Sequence, residues 1–177
     1  MAFDREKFKA MVHYVCHTCP QQSKLGKTKL NKILWASEAE HYLRVGKPIA
    51  GETYVKMEMG PVSDNLLSVI DELCEEGALE VTTTKVYNFQ KYEFVSLREP
   101  DISGFTDEEL ELINAVRDVV CHGFTAESIS KLSHNLAWEM AEDGKEIPHF
   151  TQLVSRLSDP DDDTITWALE NIARREG

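Results

Sequence analysis

Two clusters in this chain carry side chains that could ligate a metal. His13, Cys16, His17 and Cys19 fall within seven residues. On a helix His13 and His17 are four apart and could share a face. No second Cys or His pair follows at finger spacing, and Cys19 precedes Pro20 rather than a histidine, so neither a zinc finger nor a haem attachment motif is formed. Asp159, Asp161, Asp163 and Glu170 occupy positions one, three, five and twelve of a calcium-loop pattern. Thr164 stands where that loop needs glycine for its turn, so an acidic cap for a helix starting near Thr164 is the simpler expectation. Cys16-His17 and Cys121-His122 are neighbours in sequence, but a nucleophile and its base must be neighbours in space. G-x-S-x-G, P-loop, H-E-x-x-H and G-x-G-x-x-G are all missing from the sequence. The expectation is therefore a non-enzymatic chain with no cofactor and no resident metal.

A basic run, Lys24, Lys27, Lys29 and Lys32, is the other group with chemistry to offer. Its plain reading is a solvated helix face; its sharper reading is a contact for an acidic patch. The chain as a whole has a net charge of -12 over 177 residues. Such a surface repels duplex nucleic acid unless a basic face overrides the total, and it attracts a basic protein partner. No apolar run nears the roughly 18 residues of a membrane span, and Met1 to Lys9 lacks a signal-peptide core, so a cytoplasmic protein with reduced cysteines and no membrane partner is expected.

The elements that must position these residues are mostly helical. Phe8, Met11, Val12 and Val15 predict a helix over 3–16, ended by Cys19-Pro20, and Gln21 to Lys27 reads as a polar loop. A longer helix runs from about Thr28 to Val45, with Leu30, Ile33, Leu34, Ser37 and His41 on one face. Ile49 to Met59 is extended and ends at the Gly60-Pro61 turn. Ser63 or Asp64 caps a third helix that Gly77 closes. Leu79 to Leu97, rich in Val, Thr, Tyr and Phe, reads as a β-hairpin turning near Tyr87-Asn88-Phe89. Thr106 and Glu109 form a capping box for a helix stopped by Gly123. Thr125 and Ser128 open another, with Ile129, Leu132, Leu136 and Met140 turned inward. Phe150, Leu153, Val154 and Leu157, then Ile165, Ala168, Leu169 and Ile172, mark two closing helices.

The fold class is thus mainly α with a small β-hairpin (α+β): a winged-helix-like helix–helix–strand–helix–hairpin core followed by three or four helices. That order raises DNA binding. The helix that would enter a groove, Asp64 to Gly77, carries Asp71, Glu72, Glu75 and Glu76 and no Lys or Arg, and like charge at a phosphate contact costs several kcal/mol.

Three stretches together resemble one family. They are Lys29-Leu30-Asn31-Lys32-Ile33-Leu34-Trp35-Ala36; Pro48-Ile49-Ala50-Gly51-Glu52-Thr53-Tyr54 leading to Gly60-Pro61-Val62; and Leu132-Ser133-His134 with Trp138 and Gly144-Lys145-Glu146-Ile147-Pro148. In this order they resemble the Panacea domain, the antitoxin SocA-like or phage-associated GepA-type family. The resemblance covers about residues 5–150. It implies a bacterial or phage-borne antitoxin that neutralises a cognate protein toxin by direct binding. The alternatives it leaves open are an adaptor delivering the toxin to a cytosolic protease and a winged-helix-like DNA-binding regulator; nucleic acid is not expected for the isolated chain, and a homo-oligomer stays open. On this reading residues 1–148 form the antitoxin domain and 149–177 a helical extension packed on it. The candidate partner contacts are Tyr54, Met57 and Met59 on the extended segment, because methionine-rich surface repacks around varied partners, and the His134–Trp138 pair, because Trp is favoured at interface hot spots.

Overall fold

The computed structural model describes residues 2–20, 22–86 and 89–153. Helix α1 spans Arg5–Thr18, its first turn capped by the Asp4 carboxylate on the Lys7 amide. Helix α2 spans Gln22–Val45. Two short strands, β1 (Tyr54–Met57) and β2 (Gly60–Ser63), form one antiparallel hairpin. Helix α3 (Leu66–Glu75) leads to a second, longer hairpin of β3 (Leu79–Val86) and β4 (Phe89–Ser96). Helices α4 (Asp107–Gly123), α5 (Ala126–Leu132) and α6 (Leu136–Met140) follow, then a 3-10 turn at His149–Thr151. The mainly helical α+β class read from the sequence is the observed one, with two antiparallel hairpins instead of one.

Helix α2 is the axis. It packs against α1, β2, β4, α4 and α5, so its surface is covered on most sides. Leu25, Leu30, Ile33, Leu34 and Ala39 are buried on it, but so are Lys29, Asn31, Lys32, Ser37, Glu38 and His41. A helix buried this fully must find internal partners for its polar groups, since an unpaired buried donor or acceptor costs about 1–3 kcal/mol. The core gathers around it from Phe8, Met11, Val12, Val15, Tyr54, Leu66, Val69, Leu73 and Phe94.

Three local expectations change and a fourth is narrowed to one of its two alternatives. The polar loop read over Gln21 to Lys27 contains a helical turn, Gln22–Leu25, because Leu25 is drawn into the core; Gly26, at φ 60°, ψ 163°, then breaks the helix before it restarts. Lys29 and Lys32 are buried rather than on a solvated face. Of the two caps expected for α3, Ser63 serves: its hydroxyl accepts from the Leu66 amide at 2.9 Å. The single helix expected beyond Thr125 is two. Ser133 turns its hydroxyl onto the Ser130 carbonyl at 2.6 Å, and Asn135 caps a new helix through the Trp138 amide, so Leu132 and Met140 point to solvent instead of inward.

The capping box of α4 is present as read, Thr106 and Glu109 exchanging side-chain-to-amide bonds of 3.2 and 3.0 Å. Glu109 also receives the Lys7 ammonium on both oxygens at 2.8 Å. Val154, Leu157 and the Ile165–Ile172 stripe, together with the Asp159–Glu170 pattern, lie outside the described residues.

Candidate functional site: a clamped hairpin

The hairpin β1–β2 pairs only four residues per strand, with Met57 opposite Gly60. A two-stranded hairpin of that length is marginal in water on its own. Here side chains and backbone from four other segments hold it. The Lys32 ammonium donates to the Pro61 carbonyl at 2.8 Å, and the Asn31 carbonyl oxygen accepts from the Ser63 amide at 3.0 Å. These two bonds, with proline's missing N–H, seal the outer edge of β2. On the opposite side, Gly144–Ile147 lies along β1: the Lys56 amide donates to the Lys145 carbonyl at 2.8 Å, Gly144 to Lys56 at 2.9 Å, and Ile147 to Tyr54 at 2.7 Å. Ser130 donates its hydroxyl to the Met59 carbonyl at 2.8 Å, and the Trp138 indole donates to the Met57 carbonyl at 3.1 Å.

Gly60 is required twice over. Its φ of +92° suits glycine, and a Cβ there would stand 2.1 Å from the Ser133 hydroxyl and 2.5 Å from the Lys32 ammonium. It therefore starts β2 rather than closing a strand-to-helix turn.

Two buried carboxylates anchor the hairpin's approaches. Glu38 accepts from the amides of Ile49, Ala50 and Gly51 at 2.5, 3.2 and 3.1 Å, folding the Pro48–Glu52 segment around one side chain. Burial outweighs those bonds and pushes the Glu38 carboxyl up to about 7. Burial likewise lowers the Lys32 ammonium to about 7. Glu52 accepts from the Ser63 hydroxyl at 2.9 Å and the Asn65 amide at 3.0 Å, linking β1's approach to the start of α3. Its own carbonyl accepts from the His149 ring N–H at 2.9 Å, and desolvation holds that imidazole below its usual value.

What the clamp displays is the tip. Met57 is 49 % exposed and Met59 48 %, with Glu58 exposed between them. Beside the tip lies a groove of about 330 Å³, lined by Met59, Val62 and Met57 and by Lys27, Thr28 and Asn31 of α2. Trp138 is tied to the tip through its bond to Met57, stacked on His134 with ring centroids 3.8 Å apart and planes 8° off parallel, and with the Lys56 ammonium 4.4 Å from its ring centre. The two aromatics were expected on one helix; they flank the break before α6 and still stack, because Asn135 restarts the chain in a direction that keeps Trp138 over His134.

Of the five residues singled out from the sequence, Met57, Met59, His134 and Trp138 thus come together. Tyr54 does not join them at the surface. It is 1 % exposed, its ring edge-on to His149 at 6.1 Å, because inward alternation along β1 places it beneath the hairpin. Sequence reasoning missed the clamp residues Glu38, Glu52, Ser130 and Lys56. The signal was available: a glutamate on the buried face of a helix requires partners, and the amides of Ile49 to Gly51 are the ones it meets.

The His–Cys cluster serves packing. Ser96 donates to the Arg98 carbonyl at 2.8 Å, so the ring nitrogens of His13 and His17 that face it, at 3.0 and 3.1 Å, are donors spent on its oxygen. Cys16 is buried, and burial pushes its thiol above the usual range. The Cys19 and Cys121 sulfurs sit 3.7 Å apart as thiols. Among the described residues no three His, Cys, Asp or Glu side chains converge to hold a metal.

The acidic helix α3 is partly neutralised from within. Arg5 pairs with Glu72, and Lys9 and Arg98 hold Glu76 at 2.8 and 3.2 Å. Asp64, Asp71 and Glu75 stay exposed. No helix among the described residues is long and apolar enough to cross a membrane.

Fold and site together define a mainly helical α+β domain with one short hairpin clamped against its helices. The chain belongs to the antitoxin SocA-like, Panacea domain family, whose match runs over residues 30–139, more than half of its length. No curated protein and no solved structure matches it. The matched span takes in Lys32, Glu38, the hairpin, Ser130 and Trp138, so most of the clamp lies within it.

Proposed function

We propose that this chain is an antitoxin that neutralises a cognate protein toxin by direct binding, with Met57, Met59 and Trp138 as the centre of the contact. The observation that carries the reading is the contrast between a rigidly buttressed hairpin and its half-exposed, methionine-bearing tip beside an apolar groove. Holding a tip in place before binding removes part of the ordering cost that association would otherwise incur. Methionines, unbranched and polarisable, then fit irregular apolar surfaces, and the indole adds a large rigid contact. The net charge of -12 speeds encounter with a basic partner. Neutralisation follows by occlusion: a toxin surface seated on the tip is closed to its target.

The exposed carboxylates of α3 favour this over docking that helix against phosphates. Co-expression tests the reading. The product of the adjacent open reading frame should arrest growth alone and be rescued by this chain, and the Met57→Asp, Met59→Asp double variant should fold but fail to rescue. A harmless neighbour, or toxicity unchanged by the wild-type chain, contradicts it.

A further inference from the structure

A second cavity, of about 550 Å³, opens between the start of α2 and the α4–α5 corner, away from the hairpin tip. Its charge is anomalous for this molecule. Lys24, Lys29, Lys91 and His122 line it, with Thr125 and Ser128, whose hydroxyls cap α5, while no aspartate or glutamate is among the described residues lining it. The whole chain carries 31 acidic against 19 basic side chains, so an acid-free wall of this size is not its average surface. Lys29 is 7 % exposed, and among the described residues its ammonium meets one acceptor, the Cys121 carbonyl at 3.3 Å. An ammonium has three protons to place, and burying one with a single long bond is costly unless an anion completes it. Lys91 is held by Glu93 at 3.0 Å just outside the cavity, and Glu127 is turned to Lys131 at 2.8 Å.

The lining also selects among anions. No arginine is among its described residues, so the planar two-pronged pairing that carboxylates favour is not offered. Ammonium point charges suit a multiply charged phosphate. The restart of α2 after Gly26 brings the positive end of a helix dipole to the same wall. Leu25 and Phe124 supply an apolar face, and the volume lies in the range of small-ligand sites.

We propose that this cavity binds a mononucleotide, its phosphates held by Lys24, Lys29 and Lys91 and its base lying toward Phe124. Titration calorimetry on the full chain with ADP, adenosine, inorganic pyrophosphate and a single-stranded oligoribonucleotide tests it. ADP should bind saturably and about tenfold or more tighter than adenosine or pyrophosphate. Lys24→Glu and Lys91→Glu, both at the surface, should each weaken ADP about tenfold, while Met57→Asp, at the tip, should leave ADP binding unchanged and so separate this site from the toxin contact. No ADP binding overturns the proposal. So do equal affinity for pyrophosphate, a preference for the oligoribonucleotide, or indifference to both lysine variants.

Discussion

The two hairpins of this domain solve the same problem in opposite ways. The longer, β3–β4, pairs eight residues on each strand and is anchored by apolar packing, burying Leu79 and Phe94 in the common core against α2 and α3 and setting Tyr92 beneath the Lys27 ammonium. Its outer run Thr82 to Lys85 is exposed. The shorter, β1–β2, pairs four, too few to stand alone, and is fixed instead by hydrogen bonds from α2, α5, α6 and the Gly144–Ile147 segment. A ribbon held by a long ladder and by apolar packing tolerates change on its outer face, because neither depends on the side chains there. A clamped one concentrates its stability in a few buried polar contacts, and in return its tip is held still while its two methionines remain open.

That contrast is broken most severely at Gly60. Gly60→Ala forces a Cβ into Ser133 and Lys32 at a left-handed φ and should cost about 3 kcal/mol or more, read as a lower urea midpoint with unchanged slope. An alanine at Thr84 on the long hairpin should stay within about 0.5 kcal/mol in the same assay. Equal losses at the two positions would erase the distinction.

Next in size is binding. Trp138→Ala removes the indole bond to Met57, the His134 stack and the Lys56 contact, and should weaken toxin affinity by about 2 kcal/mol, roughly thirtyfold, by calorimetry. Trp138→Phe, which keeps the ring but not the donor, should recover part of it.

The pH dependence sharpens the account further. Lys32 sits near 7 when folded and well above that when unfolded, so between these values the unfolded chain binds more protons and stability rises with pH. Glu38 is the reverse: raised to about 7 in the fold, it makes the folded chain the better proton binder above its ordinary carboxyl value, so stability falls as pH climbs toward 7. Lys32→Met should flatten the alkaline rise and leave the acid-side fall intact, as measured by thermal unfolding across pH. A variant that keeps the alkaline rise would show that Lys32 is not its source.

The sequence revealed the long hairpin and hid the short one, for physical reasons. Val, Thr, Tyr and Phe from Leu79 to Leu97 state a β preference locally, and Thr106 with Glu109 announces a helix start from four residues. Nothing in Glu58-Met59 resembles a favoured hairpin turn. That turn exists because Lys32, Ser133 and Trp138, far away in sequence, fix its carbonyls and its glycine. The break before α6 was legible in Ser133 and Asn135, both cap formers, but the helical spacing of Leu132, Leu136 and Met140 argued the other way. Met57, Met59 and Trp138 stood out by residue type; that they are neighbours required the fold.

The central claim is that the clamped tip is the surface a protein partner covers, and methionine methyl resonances report on it directly. With the chain labelled at its methionine methyls, the cognate toxin added and cross-saturation measured, Met57 and Met59 should lose intensity strongly while buried Met11 stays unaffected. Saturation that leaves both tip methyls untouched in a complex that still neutralises the toxin would contradict it.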